Sequence, residues 1–371
     1  MRIALVVPGG VDRSAEYRVI PAVVSLIARL SRDDDVQVIA LRQEPRAGEW
    51  DLAGARVHNI GAPRTGLRAL LAIHKMHRAS RFDVVQAIWS GTCGLVALLA
   101  GKMLGIPSLV HVAGGELVSL PDIGYGSART RRGRLRETWV LRGVSAVTAA
   151  SAPVIDALND LKIPARRIPL GVDLSAWPPR DPVHRDPGRP ARLIHVASLN
   201  RVKDQTTLMH ALAALMKSGV QFEIDVIGED TLQGEIQRLC AQLGLSGMVR
   251  FRGFLTQRQL RPFIEAADLM VLSSRHETGP LAALEAAAAG VPTVGTAVGH
   301  VAEWSPSAAL SVPIGEPWAL AAAVRRLLDD EELRMSIARE ALRRAMREDA
   351  DHTAQSFRTL YAQLRSRPSP A

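Results

Sequence analysis

Short apolar runs alternate with longer amphipathic stretches along most of the chain. The first run, over 2–8, is followed by Gly9, Gly10 and a predicted helix over 16–30. Short apolar runs between turn signals are typical of strands buried in a parallel sheet, and the longer stretches have the period of helices. Alternation this regular predicts an α/β protein with doubly wound parallel sheets. The other elements predicted in the first half are strands over 36–40, 57–60, 83–87, 108–112 and 146–150, and helices over 67–78 and 91–104.

The segment 164–190 interrupts this alternation, because it is rich in Pro and has little apolar periodicity. That is the composition of a linker. At 371 residues the chain also exceeds the usual size of one domain. We therefore predict two similar α/β domains joined by a Pro-rich hinge. The second domain is predicted to contain strands over 192–198, 222–227, 249–251, 267–272 and near 310, and helices over 206–217, 231–243, 257–267, 281–289, 317–328 and 331–347. A last amphipathic helix is predicted over 351–365.

Composition narrows the class of protein. A hydrophobic content of 47% with 22% charged residues is typical of a soluble globular protein. The formal net charge of +9 comes almost entirely from Arg and favours anionic partners, unless it is compositional bias. Cys93 and Cys240 lie in apolar helical patterns and are expected to be buried free thiols in a reducing compartment. No secretory signal or membrane span is apparent, so we expect a soluble cytoplasmic protein.

The stretch 273–303 carries the strongest candidate chemistry. An apolar strand over 267–272 leads into a loop, and Gly279-Pro280 begins a short helix, with Pro at the first helical position. Glu277 lies in the loop ahead of this helix, and Glu285 lies one to two turns inside it. The helix N-terminus between the two carboxylates presents N–H groups and the positive end of a dipole, which suits a phosphate group.

This stretch resembles the signature of the family 4 retaining glycosyltransferases. Glu277 and Glu285 match the family's two Glu residues separated by seven, a spacing that is not specific without its context. An ordinary surface helix is the alternative. The context also matches at Ser274, Gly279, Pro280, Leu284, Gly290, Pro292, Thr296, Gly299 and Glu303.

The resemblance implies the GT-B fold, in which two Rossmann-like domains face a central cleft. Residues 1–170 would form the acceptor-side domain, 171–190 the hinge, and 191–350 the domain that binds the nucleotide sugar. By analogy the last helix, within 351–371, would return to the first domain. The implied activity is retaining transfer of a hexose-type sugar from a nucleotide-diphosphate donor to a saccharide, lipid-linked or other hydroxyl acceptor, in cell-surface glycan or glycoconjugate synthesis.

The resemblance also implies roles for individual residues. Glu277 would bind the hydroxyl groups of the donor sugar, and Glu285 those of the ribose. Lys203 would hold the diphosphate, unless it is a solvated lysine at a helix start. Ser198 occupies the position where the family usually has an Arg, and Arg201 is the substitute that we consider.

The remaining candidates come from both halves. His111 ends a strand and would face the sugar, although a lone His there is equally compatible with a structural role. Phe254 either stacks on the nucleotide base or, more simply, belongs to the core. The predicted catalytic set is Glu277, His111 and Lys203, and the predicted substrate-binding set is Gly9, Gly10, Arg201, Gly228, Phe254, Thr278, Gly279, Pro280, Leu281 and Glu285.

The sequence predicts neither a metal nor a cofactor. The D-x-D spacing by which many other glycosyltransferases bind a metal occurs at Asp33–Asp35, where it lies between a helix and a strand. We interpret it as a solvated turn. His74 and His77 lie three residues apart on one helix without further ligands. The donor nucleotide sugar would be a substrate.

An Arg-rich segment over 129–142 allows two interpretations. It could bind an anionic lipid surface or a polyanionic acceptor, or it could be the solvated face of a helix. Trp89 and the loop over 113–130 hint at a sizeable acceptor, and no nucleic acid partner is expected. The arginines in question are Arg129, Arg131, Arg132, Arg134 and Arg136.

Two rival functions stay open at this point. One is a nucleotide-sugar epimerase of the same fold, and the other is a catalytically idle subunit that binds nucleotide or lipid. The intact Glu277 and Glu285 pair argues against an idle subunit, whereas Ser198 leaves it open.

Overall fold

A computed structural model describes residues 1–366, and the chain divides into two compact units. The first unit consists of Met1–Gly171 together with the chain from Ala350 onward, and the second is Val172–Asp349. Within residues 1–366, the first unit contains strands β1 (Arg2–Val7), β2 (Asp35–Ala40), β3 (Gly48–Leu52), β4 (Ala55–Asn59), β5 (Val84–Ile88), β6 (Ser108–Val112), β7 (Ala146–Ala149) and β8 (Arg166–Arg167). Its first five helices are α1 (Pro21–Leu30), α2 (Thr65–Ala79), α3 (Gly91–Leu104), α4 (Arg131–Gly143) and α5 (Ala152–Asp160).

The second unit repeats the alternation of strands and helices. Its strands are β9 (Ala191–Val196), β10 (Phe222–Ile227), β11 (Val249–Gly253), β12 (Leu269–Leu272), β13 (Thr293–Thr296) and β14 (Leu310–Val312). Its helices are α6 (Gln205–Lys217), α7 (Glu235–Gln242), α8 (Gln257–Glu265), α9 (Leu281–Ala288), α10 (Gly299–Trp304), α11 (Pro317–Asp329) and α12 (Glu331–Arg347). The last helix, α13 (Ala350–Arg365), belongs to the first unit. The predicted α/β class with two parallel-sheet domains is therefore confirmed.

The first unit is built on a sheet with the strand order β3-β4-β2-β1-β5-β6-β7-β8. All neighbours are parallel except β3, which pairs antiparallel with β4 at the edge. The apolar run of β1 is explained by burial on both faces. Ile3 and Leu5 pack with residues of α1 and α13, whereas Ala4 and Val6 pack with residues of α2 and α3.

Several elements of the first unit differ from the predictions. The first helix begins at Pro21 and not at residue 16, because Ile20 is still extended and residues 11 and 19 form a bridge. Strand β3, helix α5 and the two-residue strand β8 were not predicted. The side chains of β3 alternate as expected for an edge strand, with Trp50 and Leu52 buried and Glu49 exposed, so the strand has no continuous apolar run.

Helix α13 is tied to the start of the first unit by charge as well as by apolar packing. Phe357 and Tyr361 are fully buried. Arg358 Nε lies 3.0 Å from Asp34 Oδ2, and the N-terminal amine of Met1 lies 2.7 Å from Asp34 Oδ1. Only 6% of the Asp34 side chain is exposed. The interpretation of Asp33–Asp35 as a solvated turn is therefore wrong for Asp34, which anchors two charged partners.

The second unit has a fully parallel sheet with the strand order β11-β10-β9-β12-β13-β14. Sequential strands run outward from β9 in one direction and from β12 in the other. The boundary between β9 and β12 is consequently a topological switch point, where ligands of open α/β sheets bind at the carboxyl ends of the strands. Val172 and Trp177, from the predicted hinge, are buried in the core of this unit.

Two further observations concern properties expected from composition. Cys93 and Cys240 are free thiols, and both are buried, as predicted. Within residues 1–366, no helix combines the length and the apolar character needed to cross a membrane.

Candidate active site

The loops that follow β9 and β12 are joined to each other at the switch point of the second unit. Ser273 Oγ donates to the Lys203 carbonyl at 2.9 Å, and the Arg275 amide donates to the Val202 carbonyl at 2.7 Å. The Thr296 hydroxyl, from the end of β13, donates to the Ser274 carbonyl at 2.6 Å. These bonds fix the loop that carries Lys203 against the loop that carries Glu277.

Lys203 and Glu277 form an ion pair between these loops. Lys203 Nζ lies 2.5 Å from Glu277 Oε1, and Ser274 Oγ donates to the same oxygen at 2.7 Å. Within the described residues Glu277 Oε2 has no protein partner, and the Lys203 ammonium has no other contact. Because an ammonium group has three donors, two remain for a ligand. The pair therefore offers an anion and a cation side by side, each with unused hydrogen-bonding capacity.

A buried histidine holds the strands beneath this pair. His195, on β9, donates from Nδ1 to the Val271 carbonyl of β12 at 2.8 Å. Its Nε2 accepts from the Gln205 amide at 3.1 Å, and the same amide contacts the Ser198 carbonyl at 3.2 Å. Burial lowers the pKa of His195 to about 4, so the ring is neutral at physiological pH. The histidine fixes the spacing of β9 and β12 and, through Gln205, the start of the loop to Lys203.

Helix α9 begins beside Glu277. Pro280 is the N-cap residue (φ −65°, ψ 112°), one position earlier than predicted, and the helix starts at Leu281. The N-cap residue Pro280 makes no side-chain hydrogen bond to the first turn. Thr278 is buried in the preceding loop, and the backbone of Gly299 abuts that loop, since a Cβ atom there would lie 3.1 Å from the Glu277 carbonyl oxygen. The N-terminus of such a helix is a type of site that binds anions.

Glu285 lies on the second turn of α9 and is held by a residue that sequence reasoning missed. Gln257 Nε2 donates to Glu285 Oε1 at 2.8 Å, and Trp177 Nε1 donates to Gln257 Oε1 at 2.5 Å. Burial raises the pKa of Glu285 to about 7, although the bond from Gln257 acts in the opposite direction. No local pattern could have indicated Gln257, because its role depends on a contact between two helices distant in sequence.

Both units of the chain are similar in sequence to known proteins. Residues 180–344 match the family described as Glycosyl transferases group 1, and residues 19–171 match the Glycosyl transferase 4-like domain. The glycogen synthase of Mycobacterium tuberculosis is 29% identical over 342 residues, 89% of this chain and 80% of the relative. The D-inositol 3-phosphate glycosyltransferase of Frankia alni is 30% identical over 296 residues, 72% of this chain and 71% of the relative.

The chain belongs to the family 4 glycosyltransferases. It is accordingly an enzyme that transfers sugar. Solved structures of the same fold include sucrose-phosphate synthase from Thermosynechococcus elongatus, at a TM-score of 0.81 and 20% identity, covering 98% of this chain and 99% of that one. HepE of Anabaena in complex with UDP-glucose has a TM-score of 0.73 and 19% identity, covering 98% of this chain and 100% of that one. The predicted GT-B fold is confirmed.

The structure places His111 of this glycosyltransferase in the core of the first unit. The side chain is fully buried, Nδ1 lies 2.9 Å from Thr148 Oγ1, and the ring makes an edge contact with Phe357. Burial lowers the pKa of His111 to about 3, so the ring stays neutral. These surroundings fit the structural alternative considered from the sequence. We therefore leave His111 out of the proposed catalytic set.

Gly9 and Gly10 of the enzyme are engaged with their own unit. The Gly10 amide donates to Gln43 Oε1 at 2.6 Å, and Gly10 has a φ of +78° that favours glycine. A Cβ atom at Gly10 would lie 2.4 Å from the side chain of Ile20. The backbone at Gly10 thus serves the turn after β1, and its N–H group is already bonded.

Three other predicted binding residues have distinct surroundings. Both terminal nitrogens of Arg201 lie 2.6 Å from the carboxylate of Glu235, so this guanidinium is already paired. Gly228 lets the ends of β9 and β10 approach, since a Cβ atom there would lie 2.0 Å from the Ala197 carbonyl oxygen. Phe254 is 51% exposed, so the interpretation of this side chain as core is wrong.

Proposed function

We propose that this glycosyltransferase transfers a sugar from a nucleoside diphosphate sugar to a hydroxyl acceptor with retention of the anomeric configuration. The observation that supports the proposal best is the contact between Lys203 and Glu277 at the switch point, in the loops that precede α6 and α9. Retention is what membership of the family implies.

The reaction requires a leaving group of high negative charge to depart from a sugar that becomes positive. The bond between the anomeric carbon and the diphosphate oxygen breaks, and its electron pair leaves with the diphosphate. The acceptor oxygen bonds to the anomeric carbon, and its proton passes to the leaving phosphate or to solvent. The two unused donors of Lys203 and the N-terminus of α9 would stabilise the departing diphosphate, a type of contact that is stronger in the transition state than before it.

The two carboxylates are assigned to the two ends of the donor. Glu277 has an unused oxygen, Oε2, next to the cation that would hold the diphosphate, so it suits the hydroxyl groups of the sugar. Glu285 lies four residues into α9, about 6 Å along the axis from its start, and suits the ribose hydroxyls. The backbone N–H groups of Thr278, Gly279 and Leu281 would contact the diphosphate, whereas Pro280, which has no N–H group, would set the start of the helix.

Relatives and structural neighbours support the donor class and leave the acceptor class broad. HepE was solved with UDP-glucose, which supports a nucleotide sugar as the donor. The relatives include enzymes named for glycogen, inositol phosphate and phosphatidylinositol mannoside substrates. A saccharide or lipid-linked hydroxyl, used in glycan or glycoconjugate synthesis, is therefore the acceptor that we propose.

A donor panel tests the proposal. The purified full chain is incubated without acceptor with UDP-, GDP- and ADP-sugars, and released nucleoside diphosphate is quantified. We expect slow release from one donor. Formation of a new sugar nucleotide would instead support an epimerase, and binding without either product would support an idle subunit. A Glu277→Gln variant serves as the control, because it keeps the size of the side chain while removing the charge at the proposed sugar end.

A further inference from the structure

A cavity of about 650 Å³ lies within the first unit, and none of the residues assigned to the donor lines it. It is formed where the chain leaves β5 and β6, so it lies at the carboxyl ends of two central parallel strands. That is the edge at which open α/β sheets bind ligands. Its volume is in the range of sites for small molecules. The wall comprises the residues after β5, the loop after β6 and the first turns of α4.

The aromatic part of the wall includes a residue with an unfavourable backbone conformation. Trp89 has a φ of +71°, which is an outlier for a bulky residue. A Cβ atom at Gly114 would lie 2.9 Å from Trp89 Nε1, and one at Gly115 would lie 2.8 Å from the ring of Tyr125. Both rings therefore reach their positions only because two consecutive glycines make room for them. Backbone strain retained by its surroundings is typical of functional sites.

The charged part of the wall is strongly basic. Arg129, Arg132 and Arg136 line the cavity. Arg136 is held in place by Glu137 at 2.7 Å, and Glu137 is itself buried. Within residues 1–366, the guanidinium groups of Arg129 and Arg132 form neither a hydrogen bond nor an ion pair. Two of the three guanidinium groups are thus free to bind a ligand.

One carboxyl group, that of Glu116, also lines the cavity. Its oxygens accept from the amides of Ser90 and Gly114, at 3.1 and 2.7 Å, and from a third backbone N–H group. Its lone pairs are therefore directed at the protein backbone. Because Arg136 is paired with Glu137, the uncompensated guanidinium groups of the wall are those of Arg129 and Arg132, and an ionised Glu116 would offset one of these two charges. A phosphate monoester, with a charge of about −1.5 to −2 at neutral pH, is complementary in sign to this wall.

We propose that this cavity binds the phosphate ester of a polyhydroxylated acceptor. Arg129 and Arg132 would bind the phosphate, because a guanidinium can donate two parallel N–H hydrogen bonds to phosphate oxygens. The cavity is much larger than a phosphate group, so a polyol lies beside it against Trp89 and Tyr125. That the ligand is the acceptor rests on the proposed function. The same chemistry is offered by a soluble sugar phosphate and by the phosphate-bearing headgroup of a lipid.

Binding of matched ligands to the full chain tests the proposal without any turnover. Glucose 6-phosphate and glycerol 3-phosphate are each compared by calorimetry with glucose and glycerol. A second arm uses phosphatidylcholine vesicles with and without phosphatidic acid. We expect the phosphorylated member of at least one pair to bind tenfold or more tightly than its neutral counterpart, with inorganic phosphate competing.

Neighbouring arginines provide a matched pair of variants. Arg132→Ala is expected to weaken binding of the phosphorylated ligand tenfold or more, whereas Arg131→Ala, an exposed residue of the same turn that does not line the cavity, should change it less than twofold. Thermal melting confirms that both variants fold. Binding to acidic vesicles that depends on Arg132 and not on Arg131 identifies a lipid headgroup as the source. The same dependence with sugar phosphates identifies a soluble acceptor.

Several results would overturn the assignment of the cavity. These are equal binding of phosphorylated and neutral ligands, no binding of either, or equal losses in Arg131→Ala and Arg132→Ala, which would indicate diffuse surface charge. Titration of nucleoside diphosphates into the same sample separates this outcome from failure of the proposed function. Donor binding without a phosphate preference contradicts the cavity alone, and a phosphate preference without donor binding contradicts the proposed donor site.

Discussion

Lys203 Nζ lies 2.5 Å from Glu277 Oε1, although 74 positions separate the two residues. They meet because β9 and β12 are neighbours in the sheet and their outgoing loops are bonded to each other. Ser274 donates to the same carboxylate oxygen, so the ion pair has a fixed geometry. In the roles that we propose, the arrangement would hold a cation for the diphosphate and an anion for the sugar in one fixed geometry, as positioning of a nucleotide sugar requires.

Removal of the Lys203 ammonium should slow the chemical step. In Lys203→Ala the departing diphosphate loses one charged donor, and such a loss typically lowers turnover on the order of a hundredfold. Turnover of the best donor, measured at saturation, checks this expectation. Lys217→Ala, an exposed lysine at the end of α6, is the matched control and should behave like the parent. Equal turnover of the two variants would remove Lys203 from the mechanism.

Donor affinity should depend on pH through Glu285. Burial raises the pKa of this carboxyl to about 7, so only about a tenth of it is ionised at pH 6 and about nine-tenths at pH 8. Because ribose hydroxyls donate to the ionised form, we expect the affinity for an intact nucleotide sugar to rise by up to about tenfold over this range. Titrations of the parent and of Glu285→Gln at pH 6, 7 and 8 measure it.

The Glu285→Gln variant is expected to bind more weakly than the parent at pH 8 and to show no rise with pH. His195 should not contribute to the pH dependence of donor affinity, since burial lowers its pKa to about 4, below the range tested. Glu285→Ala should also weaken donor affinity more than Glu277→Ala does. A pH-independent affinity in the parent protein would contradict the assignment of Glu285 to the ribose.

Gln257 should lower the pKa of Glu285 without contacting the donor sugar. Its amide donates to the ionised carboxylate at 2.8 Å and thereby counteracts part of the effect of burial. In Gln257→Ala the pKa of Glu285 should rise further. The affinity at pH 7 should then fall a few-fold, and the pH of half-maximal affinity should move upward. The measurement is the same titration series.

Arg258→Ala serves as the control for Gln257, because Arg258 is exposed on the same helix and its side chain forms no hydrogen bond or ion pair within residues 1–366. An affinity loss in Gln257→Ala that is identical at pH 6, 7 and 8 would mean that Gln257 acts through packing and not through the carboxyl group.

The sequence indicated the residues of the candidate site in the second unit better than the surroundings of residues in the first unit. Glu277 and Glu285 could be found because a strand, a Gly-Pro pair and an Ala-rich helix lie together in one local stretch. Lys203 was also predicted, since it follows the first strand of the second unit. Gln257, Trp177 and Asp34 could not be, because their roles arise from contacts between elements far apart in sequence.

The two interpretations that the structure contradicts, those of Asp34 and Phe254, share one physical cause. An Asp in a turn and a Phe after a Gly have the same local sequence whether the side chain is buried or exposed. Asp34 is paired with Arg358 of α13, 324 positions away, and Phe254 is exposed. His111, for which the sequence left a structural role open, is likewise buried against Phe357 of α13. Such surroundings depend on elements distant in sequence, which no local pattern encodes.

The pairing of Arg358 with Asp34 should contribute measurably to the stability of the first unit. Arg358 Nε lies 3.0 Å from Asp34 Oδ2, and Arg358 also donates to the Arg29 carbonyl at 2.9 Å. Arg358→Ala leaves a nearly buried carboxylate with the N-terminal amine as its remaining charged partner. We expect the free energy of unfolding to fall by about 1.5–3 kcal/mol, the usual contribution of hydrogen bonds to charged groups.

Arg365→Ala is the control for that measurement. Arg365 lies on the same helix and pairs with Asp83 at 3.2 Å, but half of its side chain is exposed, so its loss should cost less than about 1 kcal/mol. Urea unfolding followed by circular dichroism, at low and high salt, compares the two variants. The deficit of Arg358→Ala should persist at high salt, because a shielded pair is screened less than an exposed one. Equal and salt-sensitive losses would show that the pair of Arg358 and Asp34 contributes no more than an exposed ion pair.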